Sequence, residues 1–391
     1  MRELDFTLTA GPTEASSRTL AALGAPITYH YDPLFLDEFK ETERRVGEIF
    51  RTRSDVILLQ GEAVLGLEAA ARGLVTPGMH CLAVVSGIFG KGLADRLRAA
   101  GAEVHELNVA YDDAADPDDV ARRLREMPEI KLVGVVHCET PSGTLNPVEE
   151  IATVAKQHGA LMLVDCVSTL GGVPLEVDEW GLDISVAGPQ KCLAGPAGPT
   201  LVSVSAEAWD SIYANPNAPR MSYLSLIDWK EKWLDNGMFP FTPLVSDIYG
   251  LRAACDQLLD IGLEASFARH ELAGRACRAG VRAMGLEIWA RRDEIASPTL
   301  TAVRLPDQVT DLQVRAYARE RYGVMLSGGQ GAGNLVRIGH MGVTARGLYP
   351  FVGLAALGQT LVDLGVHVAV AEGLEAALAT LSATGDEVEA A

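Results

Sequence analysis

The sequence predicts an α/β protein: a large unit on a mostly parallel central sheet flanked by helices, followed by a smaller C-terminal α/β unit. Three observations carry this expectation. Between residues 56 and 204, short aliphatic and β-branched runs alternate with helix-forming stretches, the pattern of buried strands joined by crossover helices. Polar residues follow the ends of those runs, where open parallel sheets bind ligands. Beyond a helical region from about Leu244 to Met284 the pattern becomes mixed, with a strand expected over Thr299 to Leu305 and a helix over Asp311 to Tyr322. The organisation that follows is an N-terminal segment 1–20, a large domain 21–265 and a small domain 266–391.

Composition sets the outer bounds. A chain of 391 residues, 48% hydrophobic and 22% charged, buries a large core and suits two domains. No window reaches the ~18 uninterrupted apolar residues that cross a bilayer. The start, Met1-Arg2-Glu3-Leu4-Asp5, has no basic-then-apolar leader pattern, so a cytoplasmic protein is expected. A net charge of −19 opposes nucleic acid and anionic membranes as partners, because an acidic surface neutralises no phosphates. Cys81, Cys138, Cys166, Cys192, Cys255 and Cys277 show no C-x-x-C spacing and are expected as reduced core residues, with no metal site.

Taken in order, Thr7 to Thr13 and Tyr29 to Pro33 read as loops, since Gly11-Pro12 and Asp32-Pro33 disfavour regular structure. A polar helix runs to about Phe50. Val56 to Leu59 is a buried strand that passes through Gly61-Glu62 into a helix beginning near Ala63. Strand, glycine turn and helix N-terminus together usually seat an anion. Here Glu62 places a carboxylate in that seat, where it repels a phosphate dianion.

Cys81 to Val85 is the next strand, and Gly87-Ile88-Phe89-Gly90-Lys91-Gly92 turns into a helix ending near Gly101. A strand over Glu103 to Asn108, a helix over Pro117 to Met127 and a strand over Leu132 to His137 lead into a polar loop, Cys138 to Pro147. Leu161 to Asp165 is a strand ending on a carboxylate. Asp183 to Val186 is a short strand with Lys191 just beyond it, and Thr200 to Val204 completes the set. Ser327 to Gly333 reads as a flexible loop, Leu335 to Gly342 as a short strand carrying Arg337, and Leu348 to Leu381 as helix before an acidic tail, Gly385 to Ala391. Neither the Gly87 turn nor Gly331-Ala332-Gly333 has the context of a dinucleotide fingerprint.

The chemistry centres on Lys191. A lysine among small and apolar neighbours is costly to desolvate, so it is either a snorkelling surface residue or a functional amine. A strand-terminal aspartate, a later lysine, an aromatic in a glycine turn and a distal arginine suit carbon–nitrogen exchange on a pyridine aldehyde. The lysine condenses with the aldehyde and shuttles the proton, the aspartate keeps the pyridine nitrogen protonated, and the aromatic stacks on the ring. A guanidinium pairs a substrate carboxylate in two-pronged fashion. Each residue alone also has a structural reading: Asp165 as a helix cap, Phe89 as core packing, Arg337 as half of a buried ion pair.

The ordered set Gly11-Pro12, His30-Tyr31-Asp32-Pro33, Gly87-Ile88-Phe89-Gly90, His137-Cys138-Glu139-Thr140, Val164-Asp165-Cys166-Val167-Ser168, Gln190-Lys191, Phe241-Thr242-Pro243 and Arg337-Ile338-Gly339-His340-Met341-Gly342 resembles the class V aminotransferases of fold type I, over nearly the whole chain. The resemblance implies that Lys191 is the Schiff-base lysine, Asp165 the partner of the pyridine nitrogen and Phe89 the stacking ring. It further implies that Thr140 and Cys192 contact the vitamer and that Arg337 anchors the carboxylate. A homodimer or dimer of dimers is implied too, with Thr242 reaching the neighbouring subunit's site.

Departures from the family pattern narrow the expectation. Members that hold pyridoxal phosphate usually have Ser-Gly-Thr where this chain has Glu62-Ala63-Val64, a serine where it has Pro189, and a tyrosine where our alignment puts Phe239. The chain instead resembles a specialised branch that takes unphosphorylated pyridoxamine as a substrate, with no resident cofactor. By that resemblance Tyr29 and Arg337 bind the carboxylate of pyruvate or alanine, and Glu62 accepts a hydrogen bond from the hydroxymethyl group. That branch carries a second arginine where this chain has Gln330. The expected reaction is pyridoxamine plus pyruvate giving pyridoxal plus L-alanine. A conventional pyridoxal phosphate enzyme of the alanine- or serine-glyoxylate type and a non-catalytic vitamer-binding protein are the alternatives.

Overall fold

The computed structural model describes residues 6–382. From the N-terminus, strand β1 (Phe6–Thr7) leads to helices α1 (Ser17–Leu23) and α2 (Pro33–Phe50). Asp32 starts α2 by accepting the Leu34 N–H, with Pro33 at the first helical position, where its missing N–H costs nothing. There follow β2 (Asp55–Gln60), α3 (Ala63–Leu74), β3 (His80–Val85), α4 (Ile88–Ala99), β4 (Glu103–Asn108), α5 (Pro117–Glu126) and β5 (Leu132–Val136). The loop expected over Cys138 to Pro147 contains a small hairpin, β6 (Cys138–Glu139) with β7 (Thr144–Leu145). Then come α6 (Val148–His158), β8 (Leu161–Asp165), β9 (Ile184–Ala187), β10 (Pro199–Val204), α7 (Ala206–Ala214) and α8 (Leu226–Asp228), which continues as a π-helical turn through Leu234.

Strands β2, β10, β9, β8, β5, β3 and β4 form, in that order, a seven-stranded sheet. All neighbours are parallel except β10, which is antiparallel to both β9 and β2. An antiparallel pair needs no crossover helix, so β9 and β10 are joined by the loop that carries Lys191. Two antiparallel pairings in succession turn β2 back to the common direction. The C-terminal ends of β2, β3, β5, β8 and β9 therefore share one edge of the sheet, and the residues following them meet there. The sheet interior is closely packed: every residue of β5 is buried, and α4 packs against it.

Helices α9 (Val245–Ile261) and α10 (Leu263–Ala283) lead to β11 (Leu300–Arg304), α11 (Asp311–Tyr322), β12 (Val324–Met325), β13 (Ser327–Gly328), β14 (Leu335–Gly339), α12 (Tyr349–Asp363) and α13 (Val370–Ser382). Strands β11, β14 and β13 form an antiparallel sheet with Arg337 at the centre of its middle strand, opposite Ala302 and Ser327. A second apolar cluster forms here from Cys277, Val281, Val303, Val336, Ile338 and Leu357, and it includes Leu8. The N-terminal segment is thus stitched to the C-terminal part, with β1 pairing in parallel with β12. The expected tail, Gly385 to Ala391, lies outside the described residues.

Candidate active site

A cavity of about 280 Å³ opens at the C-terminal edge of the large sheet, where the arm 10–12 and the Arg337 strand close over it. Six of the residues singled out in the sequence line it: Glu62, Phe89, Thr140, Asp165, Lys191 and Arg337. They arrive from five sheet-edge connections and one strand of the small sheet.

Lys191 follows β9 and donates from Nζ to the Ala10 carbonyl at 2.7 Å. Burial, reinforced by the positive charge of Arg337, lowers its pKa from 10.5 to about 8. The arm crosses directly over the lysine at Gly11. A Cβ there would overlap the lysine side chain, and the backbone φ of +100° independently favours glycine. Thr13 N–H to Gln190 O at 2.9 Å fastens the arm beyond that crossing.

Asp165 ends β8, and its Oδ1 accepts the Val167 N–H at 3.0 Å. Burial raises its pKa from 3.8 to about 6, opposed by that hydrogen bond and by the charges of Lys191 and Arg96. Such a carboxylate gains from a cationic partner within the cavity. Phe89 lies in the first turn of α4. Its backbone N–H donates to Glu139 Oε2 at 3.0 Å, which holds the residue at the cavity wall. Thr140 follows β6, and its hydroxyl makes a short hydrogen bond with the Ser168 hydroxyl, a second cavity residue.

Arg337 donates from Nε to Gly328 O at 2.8 Å and from Nη1 to Thr140 O at 3.0 Å. Burial lowers its pKa from 12.5 to about 10, and Nη2 has no protein partner among the described residues. A fixed guanidinium with a free edge suits a carboxylate. Glu62 lines the same cavity as the N-cap of α3, accepting the Val64 N–H at 3.2 Å.

Three expected residues stand outside the cavity lining. Cys192 is buried, with Sγ donating to Ser168 O at 3.5 Å and packed where Gly172 lacks a side chain. Tyr29 is exposed on the loop before α2, its ring 4.8 Å from that of His30. Thr242 is exposed, and its carbonyl accepts Gln60 Nε2 at 2.5 Å, two residues before Glu62.

Sequence reasoning missed Arg96, which lines the same cavity. It lies seven residues after Phe89 on α4, so helical periodicity puts both on one face, a signal legible in advance. Its guanidinium folds back to the Gly92 carbonyl at 2.8 Å and forms no ion pair among the described residues. Gln330, at the loop tip before Arg337, also lines the cavity.

Comparison with known proteins agrees with this architecture. The family profile for class-V aminotransferases matches residues 15–347. The pyridoxamine–pyruvate transaminase of Mesorhizobium japonicum is 45% identical over 380 residues, covering 97% of each chain. The crystal structure of pyridoxamine-pyruvate aminotransferase from Mesorhizobium loti superposes with a TM-score of 0.96 at 44% identity, covering 98% of both chains. Ureidoglycine-glyoxylate aminotransferase from Bacillus subtilis superposes with a TM-score of 0.91 at 30% identity, over 96% of this chain and 97% of that one. A mostly parallel sheet whose edge brings a half-buried lysine and a buried aspartate into one cavity, in a chain matched along almost its whole length by these enzymes, identifies the protein as a member of the class-V aminotransferase family.

Proposed function

We propose that the protein moves an amino group from unphosphorylated pyridoxamine to pyruvate, giving pyridoxal and L-alanine. The carrying observation is Glu62. The end of the cavity where this family's phosphate would sit holds a carboxylate that already accepts an N–H of α3. A phosphate dianion there would meet a like charge and lose a donor, whereas a neutral hydroxymethyl group would donate to the carboxylate. The Glu62 turn does not fit a phosphate. Similarity to the Mesorhizobium transaminase supports the same substrate pair.

When bound, pyridoxal supplies an aldehyde carbon and a ring that withdraws electrons. Lys191 is the amine for that carbon, and its lowered pKa leaves an appreciable unprotonated fraction at neutral pH. It then moves the proton between the vitamer carbon and the α-carbon of the keto acid. Asp165 holds a proton on the ring nitrogen, and Phe89 covers the ring face. Thr140 donates to a ring substituent, and Arg337 grips the keto-acid carboxylate. We assign the active unit to a homo-oligomer in which Tyr29 and Thr242, both exposed, complete a neighbouring subunit's site.

One observation favours a second reading. Arg96 brings to the cavity a guanidinium with no ion-pair partner among the described residues, and a cation there suits a conventional pyridoxal phosphate enzyme. Assay of the purified protein, freed of small molecules by gel filtration, separates the two. Equimolar pyridoxal and L-alanine from pyridoxamine and pyruvate, with nothing else added, is the expected result. A yellow protein retaining a phosphorylated vitamer and inert toward pyridoxamine would overturn it.

A further inference from the structure

The Glu139 side chain is buried completely, beneath the first turn of α4. Its Oε2 accepts the Phe89 N–H at 3.0 Å and its Oε1 the Gly90 N–H at 2.6 Å, so both oxygens are spent on the turn that carries Phe89. Gly87 and Gly90 leave the room for it. A Cβ on Gly87 would fall on the carboxyl group, and one on Gly90 would lie 3.1 Å from Oε1. A carboxylate across a helix N-terminus satisfies free N–H groups and complements the helix dipole.

The backbone of Glu139 is held as firmly. Its carbonyl accepts Gly143 N–H at 2.7 Å and Ser142 N–H at 3.2 Å, closing the β6–β7 hairpin. The next residue, Thr140, offers its hydroxyl to the cavity and its carbonyl to Arg337 Nη1 at 3.0 Å. The Phe89 turn and Arg337 are therefore connected through two adjacent residues, Glu139 and Thr140.

We propose that Glu139 is a positioning residue for the transamination: its side chain fixes the Phe89 wall while its backbone fixes the Thr140 carbonyl that orients Arg337, so the two walls keep one register. The inference rests on the proposed function for the roles of Phe89 and Arg337. It goes beyond that proposal in assigning a role to a residue outside the cavity lining.

The test compares Glu139→Gln, Glu139→Asp and Gly87→Ala with the wild type. Gln keeps the reach but turns one acceptor into a donor facing an N–H, Asp keeps the charge, and Ala at 87 pushes the native carboxylate aside. Glu139→Gln and Gly87→Ala are expected to lower kcat by about ten-fold or more, the scale of sub-ångström misplacement of reacting groups. They should also raise KM for pyruvate and weaken the circular-dichroism band of bound pyridoxal. Glu139→Asp should recover part of each. A folded Gln or Ala variant with the wild-type melting temperature and unchanged kcat, KM and dichroism overturns the proposal, as does Asp performing no better than Gln. Should the wild type fail to turn over pyridoxamine with pyruvate, the proposed function falls. The dichroism comparison, run with pyridoxal 5′-phosphate, then still decides the role of Glu139.

Discussion

Lys191 and Asp165 are both driven toward their neutral forms by the same burial, and their opposed shifts set the pH behaviour. Asp165 must be ionised to hold a proton on the ring nitrogen, so kcat/KM should fall as pH drops through about 6. Condensation with pyridoxal needs the free amine of Lys191, so the alanine-plus-pyridoxal direction should quicken as pH rises through about 8. Stability follows the opposite logic at Asp165. Its folded pKa lies above its ordinary 3.8, so the contribution present at low pH is lost as pH rises toward about 6. Asp165→Asn is therefore expected to raise the melting temperature at pH 7.5 but not at pH 4, to abolish the acid limb, and to cut kcat by about 10²-fold or more. An unchanged acid limb in that variant would assign the titration elsewhere. Lys191→Ala should lose nearly all turnover while still binding pyridoxal, which a titration of vitamer fluorescence would show. The side chains aimed at the cavity were legible because lysine, aspartate and arginine stand out among apolar neighbours. Arg96 carried a signal only in its seven-residue spacing from Phe89, and Glu139 carried none, since it owes its meaning to an N–H pair fifty residues away.

At the scale of elements, the strand and helix alternation from β2 to β10 was readable from periodicity, and several ends agree to within a residue or two. The antiparallel sense of β10 was not, because a fully buried strand reads alike in either direction. The β6–β7 hairpin hid in a polar Thr-Pro-Ser-Gly stretch, and the π-helical turn after α8 has no pattern of its own. Helix α3 carries the decisive element-level prediction. Glu62→Ser keeps a capping oxygen but removes the charge, so the preference for pyridoxamine over its 5′-phosphate should fall by about ten-fold, equivalent to about 1.4 kcal/mol. An unaltered preference would show that the carboxylate does not set it. Helix α11 tests capping alone: Thr310 and Gln313 form a reciprocal capping box, and Thr310→Ala should cost about 0.5–2 kcal/mol in urea unfolding with little effect on kcat.

Across the whole molecule, the site depends on distant parts of the chain meeting. The N-terminal arm covers Lys191 and pairs with β12, so the first and last thirds of the sequence close one cavity. Large apolar side chains remain exposed on the segments flanking Tyr29 and Thr242, namely Ile27, Leu34, Met221, Tyr223 and Met238. His30 and Phe239, with rings 6.1 Å apart, bring those two segments together. Covering this apolar surface with a second copy is consistent with the proposed oligomer, and light scattering should give at least twice the 41.6 kDa chain mass. A monomer with full activity would remove Tyr29 and Thr242 from the site. The central claim, that Glu62 makes the vitamer a substrate, is tested most directly by kcat/KM for pyridoxamine against pyridoxamine 5′-phosphate at fixed pyruvate. A preference of about 10²-fold or more for the unphosphorylated amine is predicted; equal use of the two, or preference for the phosphate, would contradict the claim.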